Sequence, residues 1–273
     1  MNITDFTIIN NELDILEVRL KYLSNIVDKF VICESDYTFS GKPKPYNLEG
    51  NWDRFKPFHD KINYIQIEQN PSLYEYRDVN TYTPDNAPWK MEYEMRNGLA
   101  YGYDLVKPDS ICLLGDVDEI PSINLIKNYI KVNSFQELSI IMNFHAFFFN
   151  FKNTKGPDCM WGGTKILRGS TLFNSTPQQI RDRRNNTPYT ICPTSYHFSW
   201  MGGIEAIQNK ILSFSHTEFN RPEILDSNAI SQAIEEGKDV LQRPGVSYEK
   251  VDMNVFPPDL KEILTQYPHL IKN

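Results

Sequence analysis

The sequence predicts an α/β fold in which a mixed, mostly parallel central sheet is flanked by helices. Three short β-rich segments near the N-terminus, at residues 6–9, 30–33 and 63–67, alternate with other elements, as a mostly parallel sheet requires. Between the first two segments, leucines recur at helical spacing over residues 13–23. The chain has 273 residues, 40% of them hydrophobic, which is enough for one large core.

The rest of the chain continues this alternation. Asn86 and Pro88 are typical of a helix start, and apolar side chains then follow one helical stripe as far as Tyr103. The later predicted elements are a buried strand at 111–115, a helix at 122–132, a long aromatic strand at 138–151 that is bent or split, shorter strands at 160–167 and 195–201, and a helix from residue 204. No repeat or linker marks a boundary, so residues 1–273 are predicted to form a single domain, with the tail from about residue 220 wrapping around it.

One long segment has no periodicity. Residues 68–88 contain three prolines and several tyrosines, without a helical or strand pattern. Irregular connections of this length are uncommon in compact domains and often serve as lids or binding loops. We therefore interpret this segment as a lid candidate.

Composition argues against several classes of function. The net charge of −7 and the pI near 5.3 disfavour sequence-independent binding of nucleic acid, which needs a strongly basic surface. No stretch approaches the ~20 apolar residues of a bilayer span, and no basic segment precedes an apolar run near Met1, so we expect a cytoplasmic protein without a membrane span. The four cysteines lie far apart, which predicts neither a disulfide framework nor a zinc site.

Two aspartates one residue apart, Asp116 and Asp118, directly follow the strand predicted at 111–115. Ligands of open α/β sheets bind at the carboxyl ends of the strands, and alternate residues there point the same way. The pair is therefore a candidate site for one hard divalent cation, which usually also binds phosphate. The alternative is an acidic turn before Pro121, in which Asp118 or Glu119 caps the next helix.

Five motifs, in order over residues 10–215, are similar to those of a known family. They are NELDILEVR at 11–19, VICESDYTFSG at 31–41 together with KPKP at 42–45, Arg96, GDVDEIP at 115–121, and YHFSW at 196–200 followed by Glu205 and Lys210. In these motifs the sequence resembles the inverting glycosyltransferases of family 17. The tail after about residue 220 resembles the family less specifically.

The resemblance implies a GT-A-like fold, in which an Asp-x-Asp motif holds a divalent metal, Mn²⁺ or Mg²⁺, against the diphosphate of a nucleotide sugar. It implies an enzyme that moves N-acetylglucosamine from UDP-N-acetylglucosamine to a saccharide hydroxyl. The β-linkage forms by a single displacement that inverts the anomeric carbon. The expected partners are therefore a UDP-sugar donor and a saccharide or glycan acceptor, with no nucleic acid.

The motifs predict three groups of site residues. The predicted metal ligands are Asp116, Asp118 and His197, with His216 as an alternative. The predicted donor-binding residues are Glu34, Ser35, Arg96, Asp116, Gly202, Gly203 and Lys210. The predicted catalytic base is Glu205, with Glu119 and Asp158 as the other available carboxylates.

These roles follow from side-chain chemistry. Asp118 is expected to bind the metal directly and Asp116 to act through water or the ribose, because Mg²⁺ and Mn²⁺ often retain waters. Arginine suits bidentate contact with a diphosphate and lysine acts as a point charge, while backbone N–H groups at a helix start receive phosphate. The inverting reaction also needs a base that takes the proton of the acceptor hydroxyl.

Structural roles compete with several of these assignments. His197 is alternatively a core histidine, Arg96 a partner of Glu92, Glu34 a helix or turn cap, and Glu205 a first-turn residue favoured by the helix dipole. Trp161, Trp200 and the phenylalanines at 147–149 offer faces for sugar stacking, but such residues more often pack in a core.

Two other functions fit parts of the sequence. An Asp-x-Asp phosphatase usually needs Thr or Val two residues after its second aspartate, where this chain has Ile120. A non-catalytic saccharide- or nucleotide-binding module with the same fold is the other alternative, because fold alone does not imply function.

Overall fold

A central sheet with flanking helices runs through the chain. The computed structural model describes residues 2–131, 136–156, 158–183 and 186–273. The strands are β1 (Ile3–Ile8), β2 (Lys29–Ser35), β3 (Ile62–Ile67), β4 (Ile111–Asp116), β5 (Glu119–Ile120), β6 (Glu137–Ala146), β7 (Phe151–Lys155), β8 (Met160–Arg168), β9 (Tyr189–Ser199) and β10 (Ser247–Lys250). The helices are α1 (Leu13–Leu23), α2 (Asn47–Gly50), α3 (Ala87–Gly98), α4 (Ile123–Lys131), α5 (Gly169–Leu172), α6 (Pro177–Asp182), α7 (Gly203–Ser213), α8 (Pro222–Leu225), α9 (Ser227–Glu235) and α10 (Pro258–Leu264). None of the helices in the described ranges has the length and apolar character that a membrane crossing requires.

The sheet is mixed. Its strand order is β10-β7-β6-β8-β4-β1-β2-β3, and β9 pairs with both β6 and β5. The strands β3, β2, β1 and β4 run parallel, β8 is antiparallel to β4 and β6, and β9 is parallel to β6. The predicted fold class is confirmed, and the carboxyl ends of β1, β2 and β4 meet at one edge of the sheet.

Both faces of β1 are covered by helices, because its apolar side chains point to both sides. Phe6 lies in a core cluster with Met95 of α3. Ile3, on the opposite face, lies in a second cluster with Leu16 of α1. The same face carries a buried carboxylate, Asp5, which is paired with Arg19 of α1 at 2.7 Å.

The aromatic segment predicted at 138–151 is split into β6 and β7. β6 ends at Ala146, and the next residue, Phe147, has a positive φ of 69°, a conformation that a strand does not contain. A turn then closes with a hydrogen bond from the N–H of Phe151 to the carbonyl of Phe148. Phe147 and Phe149 are buried in the core.

Strand β9 starts at Tyr189, earlier than the predicted start at residue 195. Its register with β6 shifts in the middle, because Cys192 is opposite Met142 whereas Tyr196 is opposite Asn143. Pro193 lies in this irregular stretch and has no N–H to donate, so the sequence pattern hides the first half of the strand. The predicted helix at 122–132 is α4 as far as Lys131, and Val132 lies outside the described residues.

The segment at 68–88 is largely irregular, as expected. The Asn86 side chain accepts a hydrogen bond from the N–H of Arg77 and donates one to its carbonyl, both at 3.0 Å, and also caps α3. This clamp closes residues 77–86 into a loop whose Tyr82 is 58% exposed. The lid role remains a prediction.

The tail after residue 220 packs on two parts of the domain. β10 pairs antiparallel with β7 and extends the sheet. α10 packs against α1, where the Lys21 ammonium lies 3.1 Å from the Tyr267 hydroxyl, and Leu260 and Leu264 join the core cluster of α1.

A buried histidine in β6 makes the stability depend on pH. His145 is 1% exposed, and its Nδ1 lies 2.6 Å from the carbonyl oxygen of Phe149. Burial is the main influence and lowers the pKa of His145 to about 3, which outweighs the opposing effect of the Phe149 carbonyl. The folded protein therefore keeps this imidazole neutral at pH values where an unfolded chain protonates it.

We expect the free energy of unfolding to fall as the pH is lowered from about 6.5 towards 3. In this window the unfolded state binds one more proton at this residue than the folded state, so His145 contributes a slope of about 1.4 kcal/mol per pH unit. Urea unfolding at a series of pH values should show a shallower dependence in His145→Gln. Equal slopes in the two proteins would contradict this prediction.

Candidate active site

A cavity of about 640 Å³ opens at the carboxyl ends of β1 and β4. Its walls come from the ends of β1, β4 and β9, from α3, α6 and α7, and from the loop after α7. The carboxyl edge of an open α/β sheet is where such folds bind small ligands. The cavity contains both aspartates of the Asp-x-Asp motif.

Asp118 lies in the turn between β4 and β5, between a histidine and a lysine. Its Oδ1 is 3.2 Å from Nε2 of His197, and its Oδ2 is 3.1 Å from Nζ of Lys210. The histidine reaches it because β9 pairs with β5, which places His197 opposite Glu119. Burial alone would raise the pKa of Asp118, but His197 and Lys210 outweigh burial and hold this pKa far below its usual range. Asp118 is therefore ionised at neutral pH.

Asp116 is held by two arginines. Its Oδ1 is 3.2 Å from a guanidinium nitrogen of Arg96, and its Oδ2 is 2.8 Å from one of Arg181. Burial raises the pKa of Asp116, but Arg181 and Arg96 outweigh burial and lower this pKa to about 2. Arg96 also pairs with Glu92 at 2.7 Å, so the salt bridge and the contact with the acidic pair coexist.

Arg181 is a site residue that the sequence reasoning missed. It comes from α6, a short helix that begins with a capping box of Thr176 and Gln179. Its guanidinium also contacts Glu119 at 2.9 Å, so it bridges both ends of the acidic turn. The capping box is visible in the sequence, but no pattern indicates that this helix docks on Asp116.

Glu119 is fully buried and does not line the larger cavity. Besides Arg181, its carboxylate accepts hydrogen bonds from Nε1 of Trp161 at 2.8 Å and from the Thr164 hydroxyl at 3.1 Å. A Cβ on Gly115 would lie 2.6 Å from the Glu119 carboxylate and 2.3 Å from the Thr164 hydroxyl. Glycine is therefore required immediately before Asp116.

Glu34 and Ser35 do not line the larger cavity, and their donor-binding roles remain predictions. The buried Glu34 carboxylate accepts hydrogen bonds from the Lys44 ammonium and the Tyr64 hydroxyl, both at 2.6 Å, and from the N–H groups of Asn47 and Leu48. This is the capping role that was the alternative for Glu34, because the two N–H groups belong to the start of α2. The Ser35 hydroxyl donates to Oε1 of Gln69 at 2.6 Å.

The start of α7 lies beside a second cavity of about 200 Å³, which shares Asp118 and Lys210 with the first. Gly202 lines this second cavity. Gly202 and Gly203 have φ values of 103° and 84°, which glycine adopts readily. Glu205, in the first turn of α7, is exposed and lines neither cavity. Its predicted role as base and the donor-binding roles of the glycines remain predictions.

The other two candidates from the sequence line the larger cavity. His216 pairs through Nδ1 with Glu218 at 2.8 Å. Asp158 lies 2.6 Å from a guanidinium nitrogen of Arg243. Aromatic residues of the wall include Trp161 and Trp200, whereas Phe147 and Phe149 are core residues.

A divalent cation fits Asp118 and His197. Among the described residues, no group of three or more His, Cys, Asp or Glu side chains is preassembled for a metal. Asp118 and His197 nevertheless present a carboxylate oxygen and an imidazole nitrogen to one cavity, and Mg²⁺ or Mn²⁺ completes such a pair with water and substrate phosphate. Within the part of the chain that the structure describes, the buried Nδ1 of His197 has no hydrogen-bond partner, whereas metal-bound histidines usually donate this second N–H to a neighbouring group.

Comparison with known families identifies the class of protein. The family described as Glycosyltransferase family 17 matches residues 1–252. The chain belongs to this family, which confirms both the resemblance seen in the motifs and the predicted enzyme class, a glycosyltransferase.

Curated relatives share part of the chain. The β-1,4-mannosyl-glycoprotein 4-β-N-acetylglucosaminyltransferase of Rattus norvegicus is 29% identical over 116 residues, which are 42% of this chain and 20% of the relative. The protein of the same name from Homo sapiens is 28% identical over 116 residues, 42% of this chain and 21% of the relative. The matched region spans about a fifth of the length of these relatives.

The similarity to solved structures is weaker. The inositol-1-phosphate CTP transferase from T. maritima aligns with a TM-score of 0.40 and 7% identity, over 100% of this chain and 98% of that chain. The galactosyltransferase LgtC, in complex with donor and acceptor sugar analogs, aligns with a TM-score of 0.34 and 9% identity, over 68% of this chain and 64% of that chain.

Proposed function

We propose that this glycosyltransferase is a metal-dependent, inverting enzyme that transfers N-acetylglucosamine from UDP-N-acetylglucosamine to a saccharide hydroxyl, forming a β-linkage. The observation that carries the proposal is the position of the acidic pair. Asp116 and Asp118 lie at the carboxyl end of a central strand, inside one cavity, together with the cationic side chains of Arg96 and Lys210. The names of the curated relatives support the choice of N-acetylglucosamine.

The charges of the cavity suit a nucleotide diphosphate. Lys210 is paired with Asp118 but keeps 25% of its side chain exposed. Its ammonium can therefore turn towards a diphosphate without leaving the cavity, as a point charge. Arg96 presents a planar guanidinium beside Asp116, which suits contact with phosphate oxygens.

Asp118 and His197 would hold the divalent cation, Mn²⁺ or Mg²⁺. When bound, the cation would supply Lewis-acid stabilisation of the negative charge that develops on the UDP leaving group. Asp116, whose two oxygens are turned to arginines, would bind the ribose or a metal-bound water. Gly202 and Gly203 would offer N–H groups at the start of α7.

The test is a titration with UDP-N-acetylglucosamine, UDP-glucose, UDP-galactose and GDP-mannose, first with Mn²⁺ and then with EDTA. Calorimetric heat reports binding, and released nucleotide reports turnover with water as the acceptor. We expect binding of UDP-N-acetylglucosamine and slow UDP release, both abolished by EDTA. Absence of binding to every donor would refute the proposal, whereas tight UDP binding without any turnover would indicate a non-catalytic binding module.

A further inference from the structure

The loop after α7 places a histidine–carboxylate pair on the cavity wall. Nδ1 of His216 is 2.8 Å from Oε1 of Glu218. The Glu218 side chain is 8% exposed, whereas that of His216 is 41% exposed and lines the cavity. Because a carboxylate only accepts hydrogen bonds, the neutral form of this imidazole carries its proton on Nδ1 and its lone pair on Nε2. No described residue donates a hydrogen bond to this Nε2.

Aromatic rings fix the plane of this imidazole. The ring of Trp89 meets it edge to face, with centroids 4.7 Å apart and an interplanar angle of 81°. The rings of Phe214, Tyr82 and Phe219 lie at 5.6, 5.8 and 6.1 Å. The carboxylate sets the tautomer and the rings limit rotation, which is the arrangement that an oriented general base requires.

The carboxylates that line the same cavity already have ion-pair or hydrogen-bond partners. Asp116 and Asp118 face cationic groups, as described above, and Asp158 faces Arg243. The remaining contacts are Glu92 with Arg96 and the Ser215 hydroxyl, Glu12 with the N–H groups of Asn10 and Asn11, and Asp182 with the amide of Gln178. His197 also pairs with a carboxylate, but its other ring nitrogen, Nδ1, is buried. Among the described residues of this wall, His216 is therefore the exposed imidazole that combines a lone pair on Nε2 with an orienting carboxylate.

A continuous polar chain connects this loop to the acidic pair. Asp116 contacts Arg96, Arg96 contacts Glu92, and Glu92 accepts a hydrogen bond from the hydroxyl of Ser215, the residue before His216. The imidazole thus lines the same cavity as the predicted donor site, and the residue before it ties the loop to the network of the acidic pair.

On the basis of the proposed function, we propose that His216 is the general base of the transfer and that Glu218 is its positioning residue. Nε2 of His216 takes the proton of the acceptor hydroxyl while the acceptor oxygen forms its bond to the anomeric carbon. The bond from that carbon to the UDP oxygen breaks, and its electron pair leaves with UDP. This assigns to His216 the role that the sequence predicts for Glu205.

The first test compares His216→Ala with His269→Ala. His269 also pairs with a carboxylate, Asp14, at 2.8 Å, but it is 59% exposed and does not line the cavity, so it is a matched control. UDP release from UDP-N-acetylglucosamine, with water as the acceptor, should fall by about 10²–10³-fold in His216→Ala and remain unchanged in the control. Donor affinity, measured by calorimetry, should be retained in both variants.

Sodium azide distinguishes a base from a structural residue. Azide is an anion that attacks carbon without losing a proton, so it should restore UDP release in His216→Ala and in Glu218→Gln. Unchanged UDP release in His216→Ala would overturn the proposal, as would a loss of rate that azide does not restore. Loss of donor affinity would instead make His216 a donor or metal ligand. A wild-type protein that neither binds nor turns over any donor would refute the proposed function itself, and this role with it.

Discussion

Replacing Asp118 by asparagine is expected to slow UDP release from UDP-N-acetylglucosamine by about 10³-fold. The substitution keeps the size of the side chain but removes the negative charge that faces His197 and Lys210. Stabilisation of a leaving group by a correctly held cation is worth several kcal/mol, and each 1.36 kcal/mol corresponds to about tenfold in rate. Steady-state UDP release at saturating Mn²⁺ measures the effect.

Asp14→Asn is the matched control for Asp118→Asn. Asp14 also contacts a guanidinium and a histidine, Arg54 and His269, but its side chain is 33% exposed, and it lines the smaller cavity and not the larger one that contains Asp116 and His197. We expect this variant to keep the wild-type rate. Circular dichroism should show that both proteins are folded. A folded Asp118→Asn protein with full activity would refute the proposed role of Asp118.

The position of the acidic pair is predictable because its determinants are local. An apolar strand runs directly into Asp116 and Asp118, and the carboxyl ends of parallel strands form the ligand edge of such a sheet. The contacts of His197 and Lys210 with Asp118 join residues that are far apart in the sequence. They form because β9 pairs with β5 and because α7, which carries Lys210, follows β9. Only the order of the family motifs indicates these contacts in the sequence.

Other features of the site depend on docking that no sequence pattern reports. Arg181 reaches Asp116 across 65 residues of sequence, from a helix of six residues that is too short for a clear apolar stripe. His216 and Glu218 are two residues apart, but the chemical interest of that spacing appears only when the loop lies against the cavity. For Glu34, the sequence predicts a donor-binding residue because it lies at the end of a strand. In the structure its carboxylate is bound by Lys44 and by the N–H of Leu48, from a segment that folds back onto it.

Arg19 links the stability of the fold to the geometry of the acidic turn. The side chains of Arg19 and Asp5 are both fully buried, and two guanidinium nitrogens lie 2.7 Å from the two carboxylate oxygens. The third nitrogen donates to the carbonyl oxygens of Asp116 and Glu119. Arg19 therefore neutralises the buried charge of Asp5 in the sheet and also holds the backbone of the turn that carries Asp118.

We expect Arg19→Met to lower the free energy of unfolding by about 3–5 kcal/mol, because it leaves the Asp5 carboxylate buried without a counterion. In the double variant Asp5→Asn, Arg19→Met the unpaired charge is gone, so urea unfolding should show that part of the stability returns. The carbonyls of Asp116 and Glu119 still lack their donor in the double variant, so UDP release should stay below the wild-type rate. Recovery of both stability and rate would show that Arg19 acts only as the partner of Asp5, whereas recovery of stability alone would show that it also positions the acidic turn.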